Sequence, residues 1–265
     1  VSARTWDDYL LTAANLLILF FLVAPVAIIV VQAFNAGLFL QFPLQGFSTR
    51  WFVKFFSSPA FMEALVTSLT LAAWTVALAT TLGTMAALVL ARRPFRGSDF
   101  LNALLLSPLM LPGILTGLAL FQFYLLIGWG RTFPGLVLAH TVITMPYVMR
   151  TVTAMLATFD RSIEDAARNL GANEWRTFAE VTLPMIKPGI IAGGVFAFIV
   201  SFDQFPVSLF LVQPGIVTLP IEIFNYLKYD FDPAVAAAAS ISIALTVAVV
   251  LIVDRLIGLH RFARL

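Results

Sequence analysis

The chain has 265 residues, of which 60% are hydrophobic and only 11% charged, with 25 Phe and a mean hydropathy of +0.96. A soluble globular domain carries about 25% charged residues, so this sequence lacks the polar surface to cover itself in water and lipid must solvate much of it. The net charge of +2 gives no footprint for nucleic acid, the lack of Cys excludes disulfides and cysteine nucleophiles, and two separated His residues cannot build an ordinary His-rich metal site.

Residues 1–10 are polar and read as a short cytoplasmic N-terminus, followed by an apolar run at 11–34. That run is about 24 residues, roughly 36 Å as a helix, which spans a bilayer with some tilt. A signal peptide would have a basic start and an apolar core of about 7–15 residues; this run exceeds that and its start is not basic. Residues 35–62 form a mixed loop in which Phe47, Trp51, Phe52, Phe55 and Phe56 suggest an interfacial segment or packing on the bundle rim, with Ser48 as its cap. The second span is expected at 65–91, closed by the basic turn Arg92-Arg93-Pro94-Phe95-Arg96-Gly97. The third, at 100–126, contains Pro108, Pro112, Gly113 and Gly117, which predict a kink serving either packing or gating. The fourth, at 136–156, is expected to break near Met145-Pro146-Tyr147.

A polar stretch at 160–188 separates this span from a fifth at 189–212. There Gly189 and Gly193 make a small-xxx-small face for close helix approach. A loop at 213–234 and a sixth span at 235–253 precede a basic tail. The expected fold is therefore all-α and transmembrane, with six spans forming one membrane domain.

Charge sets the expected orientation. With the N-terminus inside, Arg4, Arg92, Arg93, Arg96, Arg150, Arg161, Arg168, Arg176, Lys187, Arg255, Arg261 and Arg264 are cytoplasmic, and Arg50, Lys54, Arg131 and Lys228 are external. Twelve against four favours both termini inside. It also puts 160–188 in the cytoplasm and the loops 35–62 and 213–234 outside.

Within 160–188, Ile163, Ala166, Ala167 and Leu170 recur at helical spacing, while Glu164, Asp165, Arg168 and Asn169 cover the other face. Gly171 suits a helix C-terminus and Asn173 an N-cap for a second short helix, which Trp175, Phe178 and Val181 make amphipathic. Leu183-Pro184 is expected to stop it. The pair of helices is either a rigid knob for a partner or a surface loop resting on headgroups.

The register Asp165-Ala166-Ala167, Gly171, Val181-x-Leu183-Pro184 resembles the EAA motif of binding-protein-dependent ABC importer permeases of the type I (MetI-like) fold. The match departs from consensus in Asp165 for Glu and Val181 for Ile. The resemblance implies a coupling loop that inserts its first helix into a cleft of a cytoplasmic ATPase. The coupling residues it implies are Glu164, Asp165, Ala166, Ala167, Gly171, Leu183 and Pro184, with Glu164 sharing the salt-bridging role of the shorter Asp165. It further implies a companion permease in a heterodimer, two ABC ATPase subunits that bind ATP and Mg, a solute-binding protein outside, and a bacterial inner-membrane location. This chain would bind no cofactor itself and would not be an enzyme. The segment after the loop resembles the branch that includes the second permease of spermidine/putrescine importers; related members carry iron(III), phosphonates, thiamine or opine-like solutes.

Asp203 is the one acid read as lying well inside a span, where an ionised carboxylate usually faces a pathway or a partner. With Ser201, Gln204 and Ser208 it would suit a cationic substrate; a cap or an interhelical hydrogen bond is the competing role. For His140 an interhelical hydrogen bond is preferred to proton transfer, and for Tyr124, Trp129 and Tyr147 packing to cation binding. An ion-coupled transporter would usually need more spans or two related halves, and a channel needs a carbonyl-lined or polar filter, which is not evident. No HExxH, GxSxG or P-loop motif is present.

Overall fold

The computed structural model describes residues 6–92 and 95–257, and of Asp7, Asp8, Leu256 and Ile257 the backbone alone. Of the charges used above, Arg4, Arg93, Arg261 and Arg264 lie outside these residues, as do Pro94 and most of the basic tail. Among the described residues all regular structure is helical, apart from isolated bridges pairing Asn35 with Phe47 and Gln213 with Ile216. The helices are α1 (Trp6–Ala33), α2 (Arg50–Ser57), α3 (Pro59–Arg92), α4 (Ser98–Leu106), α5 (Gly113–Leu126), α6 (Phe133–Thr158), α7 (Ser162–Asn169), α8 (Glu174–Thr177), α9 (Leu183–Phe202), α10 (Ser208–Leu211), α11 (Leu219–Tyr229) and α12 (Ala234–Ile257).

Four helical segments are each long and apolar enough to cross a membrane: Tyr9–Ala33, Pro59–Arg92, Glu174–Phe202 and Ala234–Arg255. Two bent pairs bring the number to six, Ser98–Leu109 with Gly113–Leu126 and Phe133–Thr158 with Ser162–Asn169. The third expected span is thus a broken one, turning through 109° between α4 and α5. Pro112 sits at the break, removing a backbone donor and preceding Gly113 at the start of α5. The expected break at Pro146 does not occur; α6 runs through it. Its neighbours pack α6 closely enough there to hold the helix around a missing hydrogen bond.

The chain divides into two compact units, one of residues 1–62 with 223–245 and the other of 63–222 with 246–265. In the first unit, buried Asn35 organises the loop after α1. Its Oδ1 accepts the Gly37 and Gln45 N–H groups at 3.0 and 3.2 Å, its Nδ2 donates to Phe39 O at 3.2 Å, and its own carbonyl accepts Trp51 Nε1–H at 2.7 Å. Ser48 accepts the Arg50 N–H at 3.2 Å as α2 begins. Trp51 and Phe55 turn inward, Phe52 is half-buried, and Phe47 and Phe56 stay exposed, so two of the five expected interfacial aromatics are core. Lys54 meets Asp232 at 2.6 Å, and Tyr226 donates to the same carboxylate at 3.0 Å.

The second unit is built on α6, pinched between α3 and α9. A Cβ on Gly83 of α3 would fall 2.8 Å from Val148 Cβ and 2.9 Å from the Met145 carbonyl. One on Gly193 of α9 would fall 2.6 Å from Val148 Cα and 2.6 Å from Thr151 Oγ1, and one on Gly189 2.9 Å from the Thr151 carbonyl. Lipid tails give no hydrophobic drive to helix pairing, so such backbone-to-backbone approach supplies the dispersion that holds the helices together. Buried Ala79, Ala87, Met149, Val152, Ile186 and Ala197 fill the space around it.

Gly193→Leu is expected to displace Val148 and Thr151 and to destabilise the protein by about 1–3 kcal/mol, the usual cost of overpacking. Gly194→Ala, which would meet the Thr80 methyl at 3.2 Å and Val76 Cγ1 at 3.7 Å, should cost less. Thermal unfolding of the two purified variants in detergent checks the order.

Candidate functional site

The polar stretch folds as α7 followed by a second helical element, and each end has a local cause. Asp160 accepts the Ser162 N–H at 2.9 Å as α7 starts. Acids Glu164 and Asp165 lie in the first turn and Arg168 in the last, complementing the helix dipole. Gly171 has φ +93°, a conformation that costs a side-chain-bearing residue about 1–2 kcal/mol. Asn173 then caps α8 by accepting the Arg176 N–H at 2.8 Å.

The two acids of α7 point in different directions. Asp165 is exposed and pairs with Arg168 at 2.9 Å. Glu164 turns inward, its side chain 6% exposed, and its carboxylate accepts hydrogen bonds from the Arg92 guanidinium and the Thr182 hydroxyl. Arg92 also donates to Thr182 Oγ1 at 3.3 Å. The expectation that Glu164 shares the outward role of Asp165 is therefore corrected. A single residue step turns a helix by about 100°, which is enough to carry the side chain from one face to the other. Burial opposes the charge on Glu164, but the Thr182 and Arg92 hydrogen bonds and the Arg92 charge outweigh it, holding the carboxyl below its ordinary range. A second tie, Arg161 Nη2 to the Ala91 carbonyl at 3.0 Å, anchors the start of α7 to the same end of α3.

The outer surface of the loop is apolar where it is not charged. Leu170 is 90% exposed, Trp175 75% and Ile163 45%, with Ala166 also exposed beside them. Ala167 and Ala172 are half-buried at the base.

Leu183-Pro184 does not stop the second helix. Residues Glu174–Phe202 run as one 29-residue helical segment through Pro184 and Pro188. The reason lies in a π-helical turn at Phe178–Thr182, where the Leu183 N–H bonds back to the Phe178 carbonyl, five residues earlier. That wider turn reroutes the carbonyls with which the Pro184 ring would collide in a regular α-helix. It also carries the buried Thr182. Leu183 and Pro184 are exposed.

At the other end of α9 the expected polar group separates into two sets. His140 of α6 is fully buried, with Nδ1 2.9 Å from Ser201 Oγ and Nε2 3.0 Å from Ser208 Oγ. A neutral imidazole donates from one nitrogen and accepts at the other, so one serine hydroxyl accepts a hydrogen bond from the ring and the other donates one to it. Ser201 and Ser208 are thus satisfied by His140 and buried with it, which corrects their expected place on a substrate pathway.

Asp203 is not inside a helix. The helix ends at Phe202, and the Asp203 N–H closes it by bonding to the Ile199 and Ser201 carbonyls. Pro206 disfavours helical geometry for Phe205 and ends the run early. The side chain of Asp203 is exposed and Gln204 is half-buried. The following turn seats on α5 through glycines: a Cβ on Gly117 would lie 2.9 Å from Val207 Cα and 3.0 Å from the Pro206 carbonyl. Tyr124 is a packing residue, donating to the Gly135 carbonyl at 2.9 Å and meeting Trp129 edge-on.

Sequence reasoning missed the role of Arg92, read only as one more inside charge, and that of Thr182, which no motif marked. A signal existed for neither except that Glu164 and Thr182 lie eighteen residues apart across a turn. Only the fold reveals that they meet.

Residues 79–259 match the family of binding-protein-dependent transport system inner membrane components. The chain is 37% identical over 228 residues to the putrescine transport system permease protein PotI of Escherichia coli K12, covering 83% of this chain and 81% of that protein. It is 32% identical over 231 residues to the spermidine/putrescine transport system permease protein PotC of the same strain, covering 87% of each. Among solved structures, a chain of the bacterial alginate ABC transporter in complex with alginate pentasaccharide-bound periplasmic protein superposes with a TM-score of 0.73 at 19% identity, covering 96% of both chains. A chain of an amino acid ABC transporter gives 0.61 at 19% identity, covering 82% of this chain and all of that one.

His140→Leu should strand the Ser201 and Ser208 hydroxyls in an apolar site, at about 1–3 kcal/mol for each buried group left unpaired. His140→Gln, which keeps a donor and an acceptor, should recover part of that loss in thermal unfolding of the purified protein.

Proposed function

The chain belongs to the family of binding-protein-dependent transport system inner membrane components and is a permease subunit of an ABC importer, and we propose that its cargo is a polyamine or a related small organic cation. The permease is a multi-pass inner-membrane protein. It forms half of the translocation pathway, in a heterodimer with a companion permease, and receives solute from an external binding protein. Two cytoplasmic ATPase subunits bind ATP and Mg and supply the energy; no step of hydrolysis falls to this chain. Both termini and the 160–188 loop face the cytoplasm, and the loops 35–62 and 213–234 face outward.

The observation that carries the ATPase-docking reading is the exposed apolar cap of Ile163, Leu170 and Trp175 on a helix pair otherwise covered in charge. A solvated surface loop gains nothing from a 90% exposed leucine, whereas a knob entering a cleft gains its burial. Asp165, exposed beside that cap, is placed to meet a basic residue of the partner.

For the cargo, the polyamine names of the two relatives are supported by Asp203. Its carboxylate stands at the carboxyl end of α9, where the helix dipole adds partial negative charge and favours a cation. Gln204 extends the same turn with a neutral hydrogen-bonding group.

Two measurements check these assignments. Leu170→Asp should reduce co-purification of the ATPase with the permease while leaving membrane insertion intact; unchanged recovery of the ATPase removes the docking reading. Asp203→Asn should lower uptake of labelled putrescine about tenfold, the equivalent of about 1.4 kcal/mol, with the complex assembled. Full uptake by that variant would take Asp203 out of the pathway.

A further inference from the structure

We propose that the cluster of Glu164, Arg92 and Thr182 is a mechanical latch, which carries movement of α7 directly to the ends of α3 and α9. Glu164 is then a positioning residue that acts inside the permease, not a contact for the ATPase. The inference rests on the reading of α7 as the docking helix, and deepens it.

Little besides side-chain ties holds α7 in place. It has eight residues and is joined to α6 through 159–161 and to α8 through 170–173, with Gly171 at φ +93° in the second connection. Backbone alone would let so short a helix pivot at these joints. Its exposed ion pairs, Arg168 with Asp165 and Arg168 with Glu174, lie within the loop and hold it to nothing else; pairs of that kind are weak in water. The ties that leave the loop are those of Glu164 to Arg92 and Thr182, and of Arg161 to the Ala91 carbonyl.

Burial makes the first of these ties stiff. Glu164 is almost wholly shielded, and the cleft of about 410 Å³ beside Arg92 is walled by Leu88, Val89 and Phe178 and also by Arg168 and Glu174. Pulling Glu164 away takes from its shielded carboxylate the nearest cation, Arg92, and, with Thr182, both of its hydrogen-bond donors, whereas moving all three groups together costs neither. A push on α7 is therefore passed on as displacement of α3 and α9 and is not absorbed at the joints.

The destination follows from the chain. The latched end of α3 leads back to Gly83, and the π-turn bearing Thr182 leads forward to Gly189 and Gly193, the positions that grip α6 at Val148 and Thr151. Both recipients of the push converge on one helix.

The test uses the permease purified in its native complex and reconstituted in lipid nanodiscs, with Glu164→Gln, Arg92→Gln and the charge exchange Glu164→Arg/Arg92→Glu. Each single variant should keep its ATPase subunits, lose solute-stimulated transport about tenfold and retain ATP hydrolysis. Hydrogen exchange over residues 162–169 should rise about tenfold as α7 loosens. The charge exchange should restore both readouts at least in part. Full coupling with unchanged exchange in the single variants would overturn the latch, as would a charge exchange no better than either single change. Loss of the ATPase subunits from Glu164→Gln, as expected for Leu170→Asp, would also overturn it, because Glu164 would then be a docking contact. The exchange readout concerns α7 within the permease, so a latch intact in a protein whose Leu170→Asp variant still binds ATPase would sink the docking reading alone.

Discussion

The grip on Val148 is the constraint on which the larger unit depends. Gly83 and Gly193 present bare backbone to the same residue from two helices, so α3, α6 and α9 approach as closely as main chains permit. In lipid no expulsion of water rewards helix pairing, and only close packing and internal hydrogen bonds can. The same tightness explains why α6 passes through Pro146 without breaking, since the surrounding helices hold its geometry. Polar groups attach at the two ends of this assembly: His140 with its serines at one, Glu164 with Arg92 and Thr182 at the other.

These two clusters solve one problem differently. His140 is neutral in an apolar site and needs only one donor and one acceptor, which two hydroxyls supply. Glu164 carries charge and needs a cation, which Arg92 brings from outside the apolar zone along a flexible stem, leaving its own side chain 26% exposed. The first cluster ties α6 to the end of α9 and the start of α10. The second fixes the loop against the bundle. Because its pairing with Thr182 and Arg92 holds the Glu164 carboxyl low against the opposing effect of burial, its contribution to stability is complete above the ordinary glutamate range. That contribution is lost only as the pH falls through the depressed value.

Much of this was legible in the residues. Apolar run length gave the helices that cross the bilayer, and glycine spacing marked the face of α9 that a neighbour approaches closely, though not that the neighbour is α6. Turn chemistry placed Gly171 and Asn173 correctly, because positive φ and N-capping are local properties of one or two residues. The failures are of another kind. Leu183-Pro184 looked like a stop because proline ends regular α-helices, and only a π-turn upstream lets the helix go on. Asp203 looked buried because the run 189–212 is continuously apolar around it, whereas the chain leaves the helix at Phe202. The third span looked merely kinked, and turns through 109°. Glu164 looked like an outward residue because composition cannot distinguish a solvated acid from one that has found Arg92 seventy-two positions away. Each miss concerns a long-range partner or a backbone irregularity, neither of which leaves a periodic trace.

The π-turn has a consequence for how this chain tolerates change in length. A π-turn is an α-helix with one residue too many, and that surplus sets the angle at which the loop leaves the helix. Deleting Ala179, Glu180 or Val181 would press the segment toward ordinary α-helical winding, against the collision of the Pro184 ring that the π-turn avoids. Everything upstream would then turn by about 100° and shift by about 1.5 Å relative to α9. Each remaining side chain could stay chemically intact while Glu164 faced away from Arg92. The number of residues between the tip of the loop and the bundle is thus a structural parameter in its own right, and a single-codon deletion there is a rotation of the whole knob.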